Sequence, residues 1–146
     1  GLDPVRGEQS GVRVYGEQRG AALGDFDADG RVDLVVAQSG AETKLYRNMG
    51  ARPGLRVRIE GPAQNPLGLG AVMRLHSGDR AGPARELRGG SGYWSQDSPV
   101  AVLGLAGAPT ALEVRWPGGR LTRTPVLPDA RDIVAGAGVG DEGIER

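Results

Sequence analysis

The chain has no cysteine, a single histidine, a single lysine and few aromatic residues. Without cysteine there is no disulfide, no thiol nucleophile and no thiolate metal site. With His76 as the only histidine, a cluster of imidazole ligands is excluded. Aromatics make up 4% of the 146 residues, so a core must be assembled from Val, Leu, Ile and Ala. Charge of one sign is lacking as well, because 18 basic and 18 acidic residues give a formal net charge of +0. No general electrostatic pull toward nucleic acid or an anionic membrane follows, and nucleic acid is not expected as a partner. No apolar run approaches the roughly 20 residues that a membrane-crossing helix requires, so no transmembrane segment is expected. What the chain has in abundance is glycine and proline, 26 and 10 residues. Turns are therefore frequent and long helices are not expected.

The most informative run is Asp25-Phe26-Asp27-Ala28-Asp29-Gly30-Arg31-Val32-Asp33. Carboxylates stand at alternate positions of a nine-residue loop, broken only at Arg31, which would offer its backbone carbonyl. Alternating oxygen donors suit a hard cation such as calcium, which takes oxygen ligands at roughly 2.3–2.6 Å. Gly30 stands where the loop must turn sharply. Without an ion, four like charges crowd a small loop, which Coulomb repulsion disfavours. The expected metal set is Asp25, Asp27, Asp29, Arg31 (through its carbonyl) and Asp33, with Asp33 closing the set and a calcium ion bound. An EF-hand is excluded, since its twelfth loop position needs a bidentate acid and here holds Val36. The flanking segments 20–24 and 34–37 read as strands rather than helices.

Along the chain, strands are predicted at 12–15, 19–23, 33–37 and 43–47, forming one small antiparallel sheet with too little of its own to bury a face against. Residues 48–54 are a junction. Beyond it Leu55-Arg56-Val57-Arg58-Ile59 alternates strictly, and further strands are predicted at 71–76, 83–88, 100–105, 112–116 and 121–124. Their spacing of about 8–12 residues is that of an all-β sandwich or barrel. Three regions follow: residues 1–50 with the acidic loop, residues 51–128 as a second β domain, and residues 129–146 as a Gly-rich flexible or docking tail. The chain starts at Gly1 rather than Met, which suits a processed product or part of a longer chain.

With these residues in view, positions 12–48 resemble an FG-GAP repeat, a blade of an integrin-type β-propeller marked by an Asp-x-Asp-x-Asp-Gly-x-x-Asp loop. Asp25, Asp27, Asp29, Gly30 and Asp33 match that loop. Positions 55–127 resemble the ASPIC/UnbV domain through Gly68-Leu69-Gly70-Ala71, Arg85-Glu86-Leu87, Gly89-Gly90-Ser91-Gly92-Tyr93-Trp94-Ser95-Gln96 and Leu112-Glu113-Val114-Arg115-Trp116-Pro117-Gly118-Gly119. The resemblance implies a β-rich extracellular or periplasmic protein whose protein partner, or the remainder of a propeller, completes the blade. Only one acidic loop is present, and a single blade cannot close a ring.

Catalysis is not expected. His76 has only Asp79 nearby in sequence and reads as a solvent-facing strand residue. Ser91 in Gly89-Gly90-Ser91-Gly92 lacks the second glycine of a nucleophile elbow, where Tyr93 stands. Gly136-Ala137-Gly138-Val139-Gly140 has the wrong spacing for a dinucleotide loop. Trp116 alternates with Leu112 and Val114 and is expected in the core. Trp94 is expected to cap the end of the sandwich, the alternative being a glycan-binding surface made with Tyr93. The expected function is that of a non-catalytic, calcium-binding extracytoplasmic module for adhesion, scaffolding or association with a larger assembly. Its alternatives are a carbohydrate-binding module and an accessory subunit on the outer face of a membrane complex.

Overall fold

Short apolar runs separated by Gly, Pro and Asp loops can form only strands here, and the fold is all-β. The computed structural model describes residues 3–138. After a single helical turn, Gly7–Ser10, strands β1 (Glu17–Gly24), β2 (Asp33–Ser39) and β3 (Lys44–Tyr46) make an antiparallel sheet in the order β1-β2-β3. Val36 is its one buried hydrophobic residue, while Leu23, Val35 and Leu45 remain exposed. This sheet has almost no core of its own, as its length and composition predict.

The strict alternation at 55–59 becomes β4 (Leu55–Glu60), whose odd-numbered positions Leu55, Val57 and Ile59 are buried. There follow β5 (Val72–Ser77), β6 (Arg80–Ala81), β7 (Arg85–Glu86), β8 (Ala101–Leu103), β9 (Ala111–Arg115), β10 (Leu121–Pro125) and β11 (Asp132–Gly136). One sheet runs β10-β9-β5-β6, with β7 also paired to β5, and a second runs β11-β4-β8. Neither is closed into a barrel. Leu55, Val57, Met73, Leu112, Val114 and Trp116 lie in one hydrophobic cluster that both sheets share. Trp116 is in the core, as its alternation predicts. Its indole N–H donates to Thr122 Oγ1 at 2.9 Å, which removes the cost of burying that donor.

Four local expectations need correcting. Residues 12–15 are not a strand. They lie beside β3, where the Arg13 N–H donates to Tyr46 Oη (3.0 Å) and the Tyr46 hydroxyl donates back to the Arg13 carbonyl (2.5 Å). A side-chain hydroxyl thus takes the place of a ladder partner. The tail assigned to 129–146 is not all tail, because Asp132–Gly136 is β11, paired in parallel with β4 from Asp132↔Arg56 to Gly136↔Glu60. The glycines from position 136 onward masked a five-residue strand, and residues 139–146 lie outside the described residues. His76 is not solvent-facing: its side chain is mostly buried on β5, with Nε2 3.3 Å from Glu113 Oε2 on neighbouring β9. Trp94 caps nothing and stands in solvent.

Since β11 is integral to the sheet, its two faces should respond differently to charge. Ala135 is buried and Val134 is 53% exposed. Ala135→Asp places an unpaired carboxylate in the core and is expected to cost about 3 kcal/mol or more, whereas Val134→Asp stays within about 1 kcal/mol. Urea denaturation of both variants checks this, and equal effects would make β11 a peripheral strap.

Candidate metal centre

The acidic loop links β1 to β2, and its carboxylates first shape the loop itself. Asp25 Oδ1 accepts the Asp29 N–H at 3.0 Å, and its Oδ2 accepts the Gly30 N–H at 2.9 Å. Asp29 Oδ1 accepts the Arg31 N–H at 2.9 Å. Such side-chain-to-backbone bonds are why aspartate favours turns. Gly30 has φ +81°, and a Cβ there would stand 3.0 Å from the Gly54 carbonyl oxygen. That position therefore needs glycine for both conformation and space. The close approach is used, since the Gly54 N–H donates to the Gly30 carbonyl at 2.8 Å and keys the loop to the start of β4.

Of the five predicted ligands, three come together. Asp25, Asp27 and Asp29 each offer an oxygen, and those oxygens lie within 4.8 Å of one another. Two ligands sharing one calcium ion can be no more than about 5 Å apart, given bonds of roughly 2.3–2.6 Å. The donor set and its spread thus suit a hard divalent cation. Asp33 is not in this group. It is 3% exposed, and its oxygens accept the Phe26 N–H (3.2 Å) and the Asn48 N–H (2.7 Å). Asn48 in turn donates to the Val32 carbonyl and accepts the Gly50 and Ala51 N–H groups. Asp33 and Asn48 clasp the loop to the junction after β3. Arg31 contributes through its side chain, which pairs with Asp29 at 2.7 Å and donates from Nε to the Ala51 carbonyl.

Each of the three clustered carboxylates has an arginine, and sequence reasoning missed two of these partners. Arg47 pairs with Asp27 at 2.6 Å and with Asp29 at 3.4 Å. Arg56 on β4 places Nε 2.8 Å from Asp25 Oδ2, as an ionic contact rather than an aligned hydrogen bond, and its Nη1 pairs with Asp132 on β11. The Asp25 side chain is 1% exposed, so this pair is shielded, whereas the Arg47 side chain is 48% exposed. Loss of water acts to raise the Asp29 carboxyl. Hydrogen bonds from the Arg31 side chain and backbone, with the charges of Arg31 and Arg47, outweigh it and hold the group below the ordinary aspartate range. A depressed folded-state value means that this contribution is complete above the unfolded value of about 4 and is lost as pH falls through the folded one. No spacing rule could have found Arg47 or Arg56, because they reach the loop from β3's end and from β4.

An all-β fold whose first sheet carries a carboxylate loop and whose remaining sheets share one core defines the class of module. Residues 61–136, a little over half of the chain, match the family model described as ASPIC and UnbV, and the chain belongs to that family. It is also similar to Cartilage acidic protein 1 of Xenopus tropicalis, with 30% identity over 111 residues covering 73% of this chain and 17% of that protein. The mouse protein of the same name is 29% identical over 125 residues, covering 82% of this chain and 19% of that protein. The human one is 28% identical over 111 residues, covering 73% and 17%. The chain thus spans less than a fifth of the length of the curated relatives it matches. The mouse match covers more residues than remain after position 50, so the similarity extends into the front sheet.

Asp33 and Asp27 are expected to separate structure from ion binding. Asp33→Ala leaves the Phe26 and Asn48 amides without their partner and should cost about 1–3 kcal/mol whether or not calcium is present. Asp27→Ala should leave stability in chelator near wild type. Paired urea curves in EDTA check both, and a neutral Asp33→Ala would show that the clasp is dispensable.

Proposed function

We propose that the chain is a non-catalytic, calcium-binding extracytoplasmic module that works by adhesion, scaffolding or association with a larger assembly. In this reading the front sheet acts as an FG-GAP-type blade of a β-propeller, and the ion organises its loop. The single observation that carries the reading is the convergence of the Asp25, Asp27 and Asp29 oxygens within 4.8 Å. When bound, calcium would supply positive charge and fix the alternate carboxylates of the loop. Asp25, Asp27 and Asp29 would hold it, and Arg47 would leave the cluster as it enters. Calcium at extracellular levels suits loop sites of modest affinity, and the cartilage in the relatives' name fits an extracellular setting. No helix among the described residues is long and apolar enough to cross a membrane.

The association half of the reading rests on the front sheet. Leu23, Val35 and Leu45 are exposed on it, and its order leaves β3 at an edge. Exposed apolar strands of this kind take up partners. The occupant is a protein partner or the remainder of a propeller, in line with relatives more than five times as long as the matched stretch.

Calcium is expected to raise the melting temperature. At a concentration 100 times the dissociation constant, mass action adds about 2.7 kcal/mol, or a shift of roughly 10 °C for a chain of this size. Asp27→Ala abolishes the shift. Differential scanning calorimetry in calcium and in EDTA makes the comparison, and identical melting curves for the wild type would overturn the reading.

A further inference from the structure

The segment Gly92-Tyr93-Trp94-Ser95 is a tight turn closed by a bridge between Gly92 and Ser95. Of the two central positions of a turn, one with positive φ favours glycine or asparagine, because that conformation is unfavourable for bulky residues. Here they hold Tyr93 and Trp94, and Trp94 has φ +51°. Trp94 is 81% exposed and Tyr93 65%. Their rings are stacked, with centroids 5.2 Å apart and planes 9° from parallel. A chain with two tryptophans buries one in its core and holds the other in water on a strained backbone. Packing does not account for the second, and strain of this kind clusters at functional sites.

The turn is built rather than loose. A Cβ at position 20 of β1 would stand 3.0 Å from the Tyr93 carbonyl oxygen and 3.1 Å from that of Trp94, so Gly20 is the bare backbone on which the turn rests. The Ser91 N–H donates to the Ser95 carbonyl at 3.2 Å, and Ser91 Oγ accepts the Asp97 N–H at 2.8 Å. Asp97 Oδ1 then accepts the Leu23 N–H of β1 at 2.8 Å, and the Ser98 N–H donates to the Leu23 carbonyl. The aromatic pair is thereby pre-positioned, which lowers the ordering cost of binding.

Beside the turn is an open cleft of about 610 Å³, lined by Tyr93 and Ser95 of the turn, by Gln18 and Arg19, and by apolar residues such as Val14 and Leu34, with Trp94 outside the lining and stacked on Tyr93. Its size is in the range of small-ligand sites, roughly 300–1,000 Å³. Flat aromatic faces beside hydroxyl and amide groups match the two surfaces of a pyranose, an apolar C–H face and a hydroxyl rim. The cleft's cation, Arg19, is paired with Glu17 at 2.7 Å, so no net charge is directed at a ligand. The edge of β1 at Leu23 is already taken by Asp97 and Ser98, which disfavours an added peptide strand there. We propose that the Tyr93–Trp94 turn and the cleft along β1 form a binding site for a neutral saccharide. It is independent of the calcium reading.

The test is isothermal titration of the full chain with neutral tetrasaccharides of β-linked glucose, β-linked N-acetylglucosamine and α-linked glucose, with a heparin-derived tetrasaccharide as the anionic control. All are run in EDTA. At least one neutral sugar is expected to bind saturably. Trp94→Ala weakens it by about tenfold or more at an unchanged melting temperature, as loss of one stacking face predicts. Trp94→Phe retains most of the affinity, and Tyr93→Ser gives a second, intermediate loss. Asp27→Ala binds sugar as the wild type does, which separates this proposal from the metal site. Saturable binding by no neutral sugar, stronger binding of the heparin fragment, or unchanged affinity in Trp94→Ala would each overturn it. So would a loss of self-association or of vesicle binding in Trp94→Ala without any sugar effect, since the turn would then serve a protein or lipid surface.

Discussion

The front of this molecule depends on compensating charge. Four aspartates within nine residues repel one another, and the loop exists in one conformation only because something opposes that repulsion. Backbone amides supply part of the opposition: Asp25, Asp29 and Asp33 all accept N–H groups from the loop or the junction. Arginines supply the rest. Arg31, Arg47 and Arg56 reach the cluster from three different segments, so the loop ties β1, the end of β3 and β4 together. An arginine is a poor substitute for calcium in one respect. It presents donors in a planar fork to one or two oxygens, whereas a divalent ion gathers oxygens from all sides. The arginine arrangement and an ion-bound one are therefore competing solutions to the same electrostatic problem. If the proposed ion binds, Arg47, half exposed, is the partner whose displacement would cost least, and Arg56, shielded and held by Asp132, would cost more to move.

This view explains which parts of the architecture were legible in the sequence. Strands whose alternation is strict, such as 55–59 and 112–116, were found at nearly their true limits, because a buried face imposes period two directly on residue type. The acidic run was legible as a loop between two strands because Asp and Gly favour turns, and it does connect β1 to β2. Strand β11 was missed because Asp132-Ile133-Val134-Ala135-Gly136 is short and runs straight into a Gly-rich end. What makes it a strand is the free edge of β4, which lies over seventy residues away in sequence. The segment 12–15 erred in the opposite direction. Val12-Arg13-Val14-Tyr15 has the alternation of a strand, but a single tyrosine hydroxyl on β3 takes both of the Arg13 backbone groups, and no ladder forms.

Within the site, the chemistry of each aspartate was readable and its job was not. Asp33 and Asp25 belong to one motif and are both buried as side chains, yet one serves the backbone alone and the other joins the cluster. The difference comes from Asn48, whose amide approaches Asp33 and whose side chain closes the junction. A motif records which residues recur at which spacing. It does not record what faces each of them across the fold.

Strand β1 links the two sites. Its last residue, Gly24, leads into the acidic loop, while Gly20 supports the aromatic turn and Leu23 bonds Asp97 and Ser98 on both backbone sides. The 91–98 segment belongs to the ASPIC and UnbV match and β1 lies outside it, so the turn is set in place by a sheet that the matched region does not contain. A piece that keeps β4 together with the matched region but lacks β1 would keep the core, because every member of the buried cluster lies at Leu55 or beyond. It would lose the surface that orders Tyr93 and Trp94. The front sheet, poor in buried apolar area, gains the 91–98 segment along an edge that would otherwise lie open. The two parts meet through hydrogen bonds and the Arg56–Asp25 ion pair, and the buried apolar cluster includes no residue of the front sheet. That makes their junction specific in register while leaving the exposed aromatic rings and the exposed strand faces available to other molecules.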